Sequence, residues 1–108
     1  MVDARTFVVG IADGSCSEDI CWTFNASVWS KDKVFLAGDV LVFNYKPSVH
    51  NVVAVDEEGY KTCKASKNAV VYETGHDRIQ LPEGGDSFFI STVASDCQRG
   101  MRIEASYV

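Results

Sequence analysis

Histidine and proline are scarce in this chain, two residues of each, and it has no cluster of Lys and Arg. With only His50 and His76, chemistry built on several imidazoles is nearly excluded. Ten basic residues against fifteen acidic ones give a formal charge of −5. Phosphate neutralisation needs a concentrated positive face, so nucleic acid is not expected as a partner. No apolar run approaches the roughly 20 residues of a membrane-spanning helix. No Cys-x-x-Cys pair occurs, and no segment sustains a helical repeat of apolar residues. The start, Met1-Val2-Asp3-Ala4-Arg5, lacks the basic end and apolar block of a signal peptide. Either the chain is cytosolic, or Met1 stands ahead of the mature form of a secreted domain.

What is present is a series of short β-rich runs. Thr6 to Val9 is closed by Gly10, and Val34 to Leu36 leads into the turn at Ala37-Gly38-Asp39. Val40 to Tyr45 is followed by Pro47, and Val49 to Val55 ends at Asp56-Glu57-Glu58-Gly59. Arg78 to Leu81, Ser87 to Ile90 and Met101 to Ala105 complete the set. Runs of this length between Gly, Pro and Asp turns indicate an all-β sandwich or barrel. A turn or two of helix is expected at most, near Asn25 to Ser30 or Cys63 to Asn68. The 108 residues suit one domain, residues 1–108, with its own core. Strand alternation places Phe7, Val9, Leu41, Phe43, Val53, Val55, Ile79, Phe89 and Ile103 in that core, with Trp29 near one end.

The cysteines are Cys16, Cys21, Cys63 and Cys97. An even number in a short chain reads as a disulfide framework, with three connectivities open. Asn25-Ala26-Ser27 is an N-glycosylation sequon, which matters only in the secretory pathway. Cysteines and sequon together favour secretion. A Ser-His-Asp set can be written from Ser91, His50 and Asp96, but no nucleophile-elbow pattern surrounds Ser91, and no enzyme is expected. Glu57-Glu58 reads as a solvated tip, and His76, within Glu73 to Asp77, as a solvated loop residue.

The segments Ala37-Gly38-Asp39-Val40-Leu41-Val42-Phe43-Asn44-Tyr45, Pro47-Ser48 with His50-Asn51-Val52-Val53, and Cys97-Gln98-Arg99-Gly100-Met101 are distinctive. So are Trp22-Thr23-Phe24-Asn25, Gly75 with Asp77, and Leu81-Pro82. In order and over nearly the whole chain they resemble the phytocyanins, especially the plantacyanin branch. The resemblance implies a cupredoxin-like Greek-key β-sandwich stapled by two disulfides. It pairs Cys63 with Cys97 beside the family's copper site. Cys16 and Cys21 would then close an inserted loop locally.

The resemblance also assigns the ligand positions. A blue-copper centre uses two histidines, a cysteine thiolate and a weak axial donor such as Met. His50 falls at the first histidine position and Met101 at the axial one, while Ser91 stands in place of the cysteine and Asp96 in place of the second histidine. The expectation is therefore a vestigial copper site at His50, Ser91, Asp96 and Met101, with no resident cofactor. His50 and Asp96 alone would hold Cu²⁺ or Zn²⁺ weakly. On that tally the chain is expected to be a secreted, monomeric, non-redox binding or signalling module of the cell wall or apoplast, membrane-anchored if a longer precursor carries an anchor. It would meet an unknown extracellular protein or glycan. The alternative is a blue-copper electron-transfer protein whose ligands have been altered.

Overall fold

The structure, a computed structural model, describes residues 5–10, 22, 26–31, 34–82 and 86–106. Two sheets face each other. In the first, β1 (Thr6–Val8) lies parallel to β2 (Val40–Asn44), and β2 pairs antiparallel with β5 (His76–Gln80). In the second, β4 (Val70–Tyr72), β3 (Val52–Val55), β6 (Asp86–Ile90) and β7 (Arg102–Ser106) lie in that order, all antiparallel. Of the sandwich or barrel that the short strands and turns indicate, this is the sandwich, as the family resemblance implied. Among the described residues no helix is long and apolar enough to cross a membrane.

The core lies between the sheets because alternate residues of each strand point inward. Leu41 and Phe43 of β2 meet Val52 of β3, Phe89 of β6 and Ile103 of β7. The Phe43 ring lies 5.0 Å from Trp22 and 5.4 Å from Phe89, so aromatic contacts join the two sheets. Val9, Trp29, Leu41, Phe43, Val53, Phe89 and Ile103 are buried as expected, whereas Phe7, Val55 and Ile79 are only half-buried. Trp22, Phe35, Leu81 and Met101 are buried as well; Leu81 and Met101 continue the alternation of Ile79 and Ile103, whereas no strand period marks Trp22.

Val53 is buried on the other face of its sheet. It packs with Ile90 and Cys97 in a second, smaller cluster bordered by Val55, Tyr60, Cys63 and Ala69. Sequence alternation had assigned Val53 and Val55 to the inner face. β3 opens at Val52 rather than Val49, and an odd shift of register exchanges the two faces of a strand.

α1 (Ala26–Lys31) forms where a helical turn was expected. α2 (Glu57–Thr62) occupies the residues read as a turn, and Cys63 to Asn68 is not helical. Asp56 caps α2 by accepting a hydrogen bond from the Gly59 amide at 2.7 Å, and Cys63 ends it in the left-handed conformation. Gly59 is required for packing: a Cβ there would come within 2.6 Å of the Lys64 carbonyl. A glycine kept for close approach thus imitated a turn glycine in the sequence. Glu57 and Glu58 are exposed, as a solvated pair should be, but they sit in the first turn of this helix, where Glu57 also meets Lys61 at 3.6 Å. β4 was not expected, and Val34 to Leu36 contributes only an isolated bridge at Phe35.

Candidate functional site

Three connections meet at one end of the sandwich. The first is the turn between β2 and β3, where the His50 and Val49 amides both return to the Lys46 carbonyl, at 3.1 and 2.9 Å. Gly75 supports this turn from behind: its carbonyl accepts from the Tyr45 amide at 3.0 Å. With φ at +86°, it also lies so close that a Cβ would reach 2.9 Å from Pro47 Cδ. The second is the end of β6, where the Ser91 amide donates to the Met101 carbonyl at 3.0 Å. The third is the tight 91–100 loop, in which the Asp96 amide donates to the Val93 carbonyl and the Met101 amide donates to the Asp96 carbonyl, each at 3.0 Å.

These turns bring the expected residues together. His50 Nδ1 lies 2.7 Å from Asp96 Oδ2, and the Ser91 hydroxyl donates to that same oxygen at 2.7 Å. Asp96 and Ser91 are buried, His50 is partly exposed, and Met101 is fully buried. Asn51 and Thr92 clamp the arrangement. The Asn51 amide donates to Thr92 Oγ1, and its carbonyl oxygen accepts from the Thr92 amide, both at 2.9 Å. The buried Trp22 ring N–H donates to the main-chain carbonyl of Asn51 at 2.7 Å. Neither the clamp nor the Trp22 brace was assigned from sequence. A side-chain amide beside a candidate ligand is the only local signal, and its partner is 41 residues away.

The hydrogen bonds bear on what the site can do. The Ser91 proton is directed at a carboxylate rather than at imidazole, unlike the serine-to-histidine bond of an acyl-transfer triad. Cys97 follows Asp96 directly, yet it sits under α2 on the outer face of the sheet, whereas Ser91 follows the inner-facing Phe89 by two residues. Its sulfur is bonded to Cys63, as the family resemblance implied. Among the described residues no group of three or more His, Cys, Asp and Glu side chains forms a metal-ligand cluster.

The remaining candidates lie apart from this cluster or outside the description. His76 opens β5, and its Nδ1 is hydrogen-bonded to Asn44 Oδ1, so it is an exposed strand residue rather than a loop residue. Its neighbour Asp77 is buried and accepts from Tyr45 and Thr74. Cys16, Cys21 and the sequon asparagine Asn25 fall outside the described residues.

Comparison with known proteins gives a consistent answer. The family model for a plastocyanin-like domain matches residues 22–101. The chain is 46% identical over 97 residues to the basic blue protein of Cucumis sativus, covering 90% of this chain and 93% of that one. It is also 46% identical over 100 residues to the chemocyanin of Lilium longiflorum, covering 93% of this chain and 75% of the other. Among solved structures, the cucumber basic protein, a blue copper protein, superposes with a TM-score of 0.84 at 44% identity, over 96% of this chain and all of that chain.

Two expectations are overturned by these relatives. A non-redox module was expected, with no cofactor, yet similarity across nearly the whole length leads to proteins described as blue and as copper-bearing. The ligand tally gave two substituted positions more weight than a scaffold whose copper-bearing relatives share it throughout. From the matched family, the shared sandwich and the Cys63–Cys97 bridge beside the converging loops, the chain belongs to the phytocyanins, within the plastocyanin-like domain family.

Proposed function

We propose that this chain is built on the electron-transfer scaffold of the blue copper proteins, with two of the four ligand positions altered. The observation that carries this reading is that the His50, Ser91 and Asp96 side chains meet at one end of the sandwich, with the Met101 backbone bonded to Ser91 and Asp96. The blue copper relatives support it.

The family implies copper, and the donor chemistry tests the fit. The His50 imidazole and the Met101 thioether are donors that a blue centre uses. The Ser91 hydroxyl is not: it is hard and weakly acidic, and it cannot replace a soft thiolate. The residues present therefore do not fit a blue centre. The Cys63–Cys97 disulfide and the Asn25 sequon support placement in an oxidising, secretory setting.

The test is to restore both altered positions. Ser91→Cys with Asp96→His should give a folded protein that turns intensely blue with Cu²⁺ and cycles reversibly by one electron in voltammetry. A folded double variant that stays colourless would show that this end of the sandwich is not a copper position.

A further inference from the structure

We infer that the free edge of β4 pairs antiparallel with β4 of a second copy of this chain, joining two sheets across a twofold axis at Val70. The inference stands apart from the copper reading, because it uses none of the residues at the altered site.

The edge itself is the first support. β3 pairs with β4 on one side, and no described strand lies on the other. The outward main-chain groups of such a strand are a template for another one. Neither proline nor a charged residue interrupts the run from Asn68 to Tyr72. Val70 is 54% exposed and Val71 49%, so the strand is apolar where it is open.

Register shows which face each valine belongs to. Val71 lies opposite Val53 and shares the outer face with the smaller cluster. Val70 lies opposite Ala54, which packs against the main core, so it belongs to the inner face. An inner-face valine is ordinarily covered, and this one is more than half open. On the same face lies an open groove of about 270 Å³ lined by Ala54, Tyr72 and Ile79 among others. A further strand beside β4 would cover Val70 and border that groove.

Charge names the occupant and the register. A twofold contact puts the same patch on both sides, so the strand must be complementary to itself run backwards. With Val70 facing its own counterpart, Ala69 falls opposite Val71, and apolar positions meet apolar positions. Lys67 sits in the turn that leads into β4, closed by the Ala69 amide on the Ser66 carbonyl at 3.2 Å. In this register it comes against Glu73 at the end of the other strand. Both side chains are exposed, and neither forms an ion pair among the described residues. The axis uses the pair twice, once at each end. Centring on Val71 instead would set Lys67 against Gly75 and Glu73 against Ala69, losing both pairs. A contact built on one short strand falls below the roughly 1,200 Å² of a stable interface, so the association is weak and concentration-dependent. The formal charge of −5 on each copy opposes approach at low salt, and dissolved ions screen it.

Sedimentation velocity on the whole chain, from micromolar to millimolar concentration at physiological ionic strength, is the test. The expected result is a shift from monomer to dimer as concentration rises. Val70→Lys sets two ammonium groups face to face on the axis and should abolish the dimer. Lys67→Glu or Glu73→Lys alone should weaken association by about tenfold or more, since each creates two like-charge contacts. Lys67→Glu combined with Glu73→Lys should restore it, which a general change in surface charge would not do. All three positions are exposed, so circular dichroism should match that of the unaltered chain. Val34→Lys, at a valine 74% exposed outside β4, should leave association unchanged. A dimer that survives Val70→Lys, single reversals that the double reversal does not rescue, or loss of the dimer in Val34→Lys would overturn the inference. So would a chain that stays monomeric throughout the range, which would leave this edge to a different protein.

Discussion

Replacing both Cys63 and Cys97 by alanine should be one of the costliest changes to the fold that leaves the candidate ligands untouched. The bridge joins residues 34 apart in sequence and ties the C-terminal cap of α2 to the 91–100 loop. For a loop of that length, the loss of chain entropy in the unfolded state corresponds to about 4 kcal/mol at 25 °C. Cys97 is 2% exposed within the Val53–Ile90 cluster, so its truncation adds a small packing loss in the same direction. In a domain of this size, about 4 kcal/mol corresponds to a fall in Tm of about 15–25 °C. Guanidinium unfolding followed by tryptophan fluorescence measures the loss, and calorimetry measures Tm. The denaturant slope should also rise, because the unbridged chain expands further on unfolding and exposes more surface. A loss under about 1 kcal/mol with an unchanged slope would refute the reasoning, since the bridge would then be constraining very little of the unfolded chain.

Two further outcomes follow from buried polar side chains. Burial works to raise the Asp39 carboxyl, but hydrogen bonds from the Arg5 side chain and from the Leu36 and Arg5 amides outweigh it and hold the pKa below its ordinary value. Its stabilisation is therefore present above the unfolded-state value near 3.8 and is lost as pH falls through the lower folded value, so Asp39→Asn should flatten the acid limb of a stability-versus-pH curve. Burial raises the Tyr45 phenol far above its usual value, and the Asp77 carboxylate to which it donates adds to the rise. The stability this gives is complete below pH 10 and is lost as pH climbs toward the folded value. Tyr45→Phe should cost about 1.5–3 kcal/mol at neutral pH, the usual worth of a hydrogen bond to a charged group, and should remove the last tyrosine to ionise in an alkaline absorbance titration.

The sequence by itself determined the class of fold and the identities at the site. Short β-branched and aromatic runs between Gly, Pro and Asp turns leave little besides a sandwich, because strand alternation and turn chemistry are both local. That His50, Ser91 and Asp96 would meet was also expected from the resemblance, since the flanking motifs retain their order along the chain. Tertiary structure decided the rest. The inner face of β3 depended on register, which the strand itself cannot reveal because Val52 to Val55 are all apolar. α2 was hidden because its glycine answers to Lys64 and Val55 rather than to a turn. The bond between His50 and Asp96 spans 46 residues, and whether their side chains meet at one point depends on three separate turns. No local pattern encodes a distance of that kind; it exists only after the two sheets have packed.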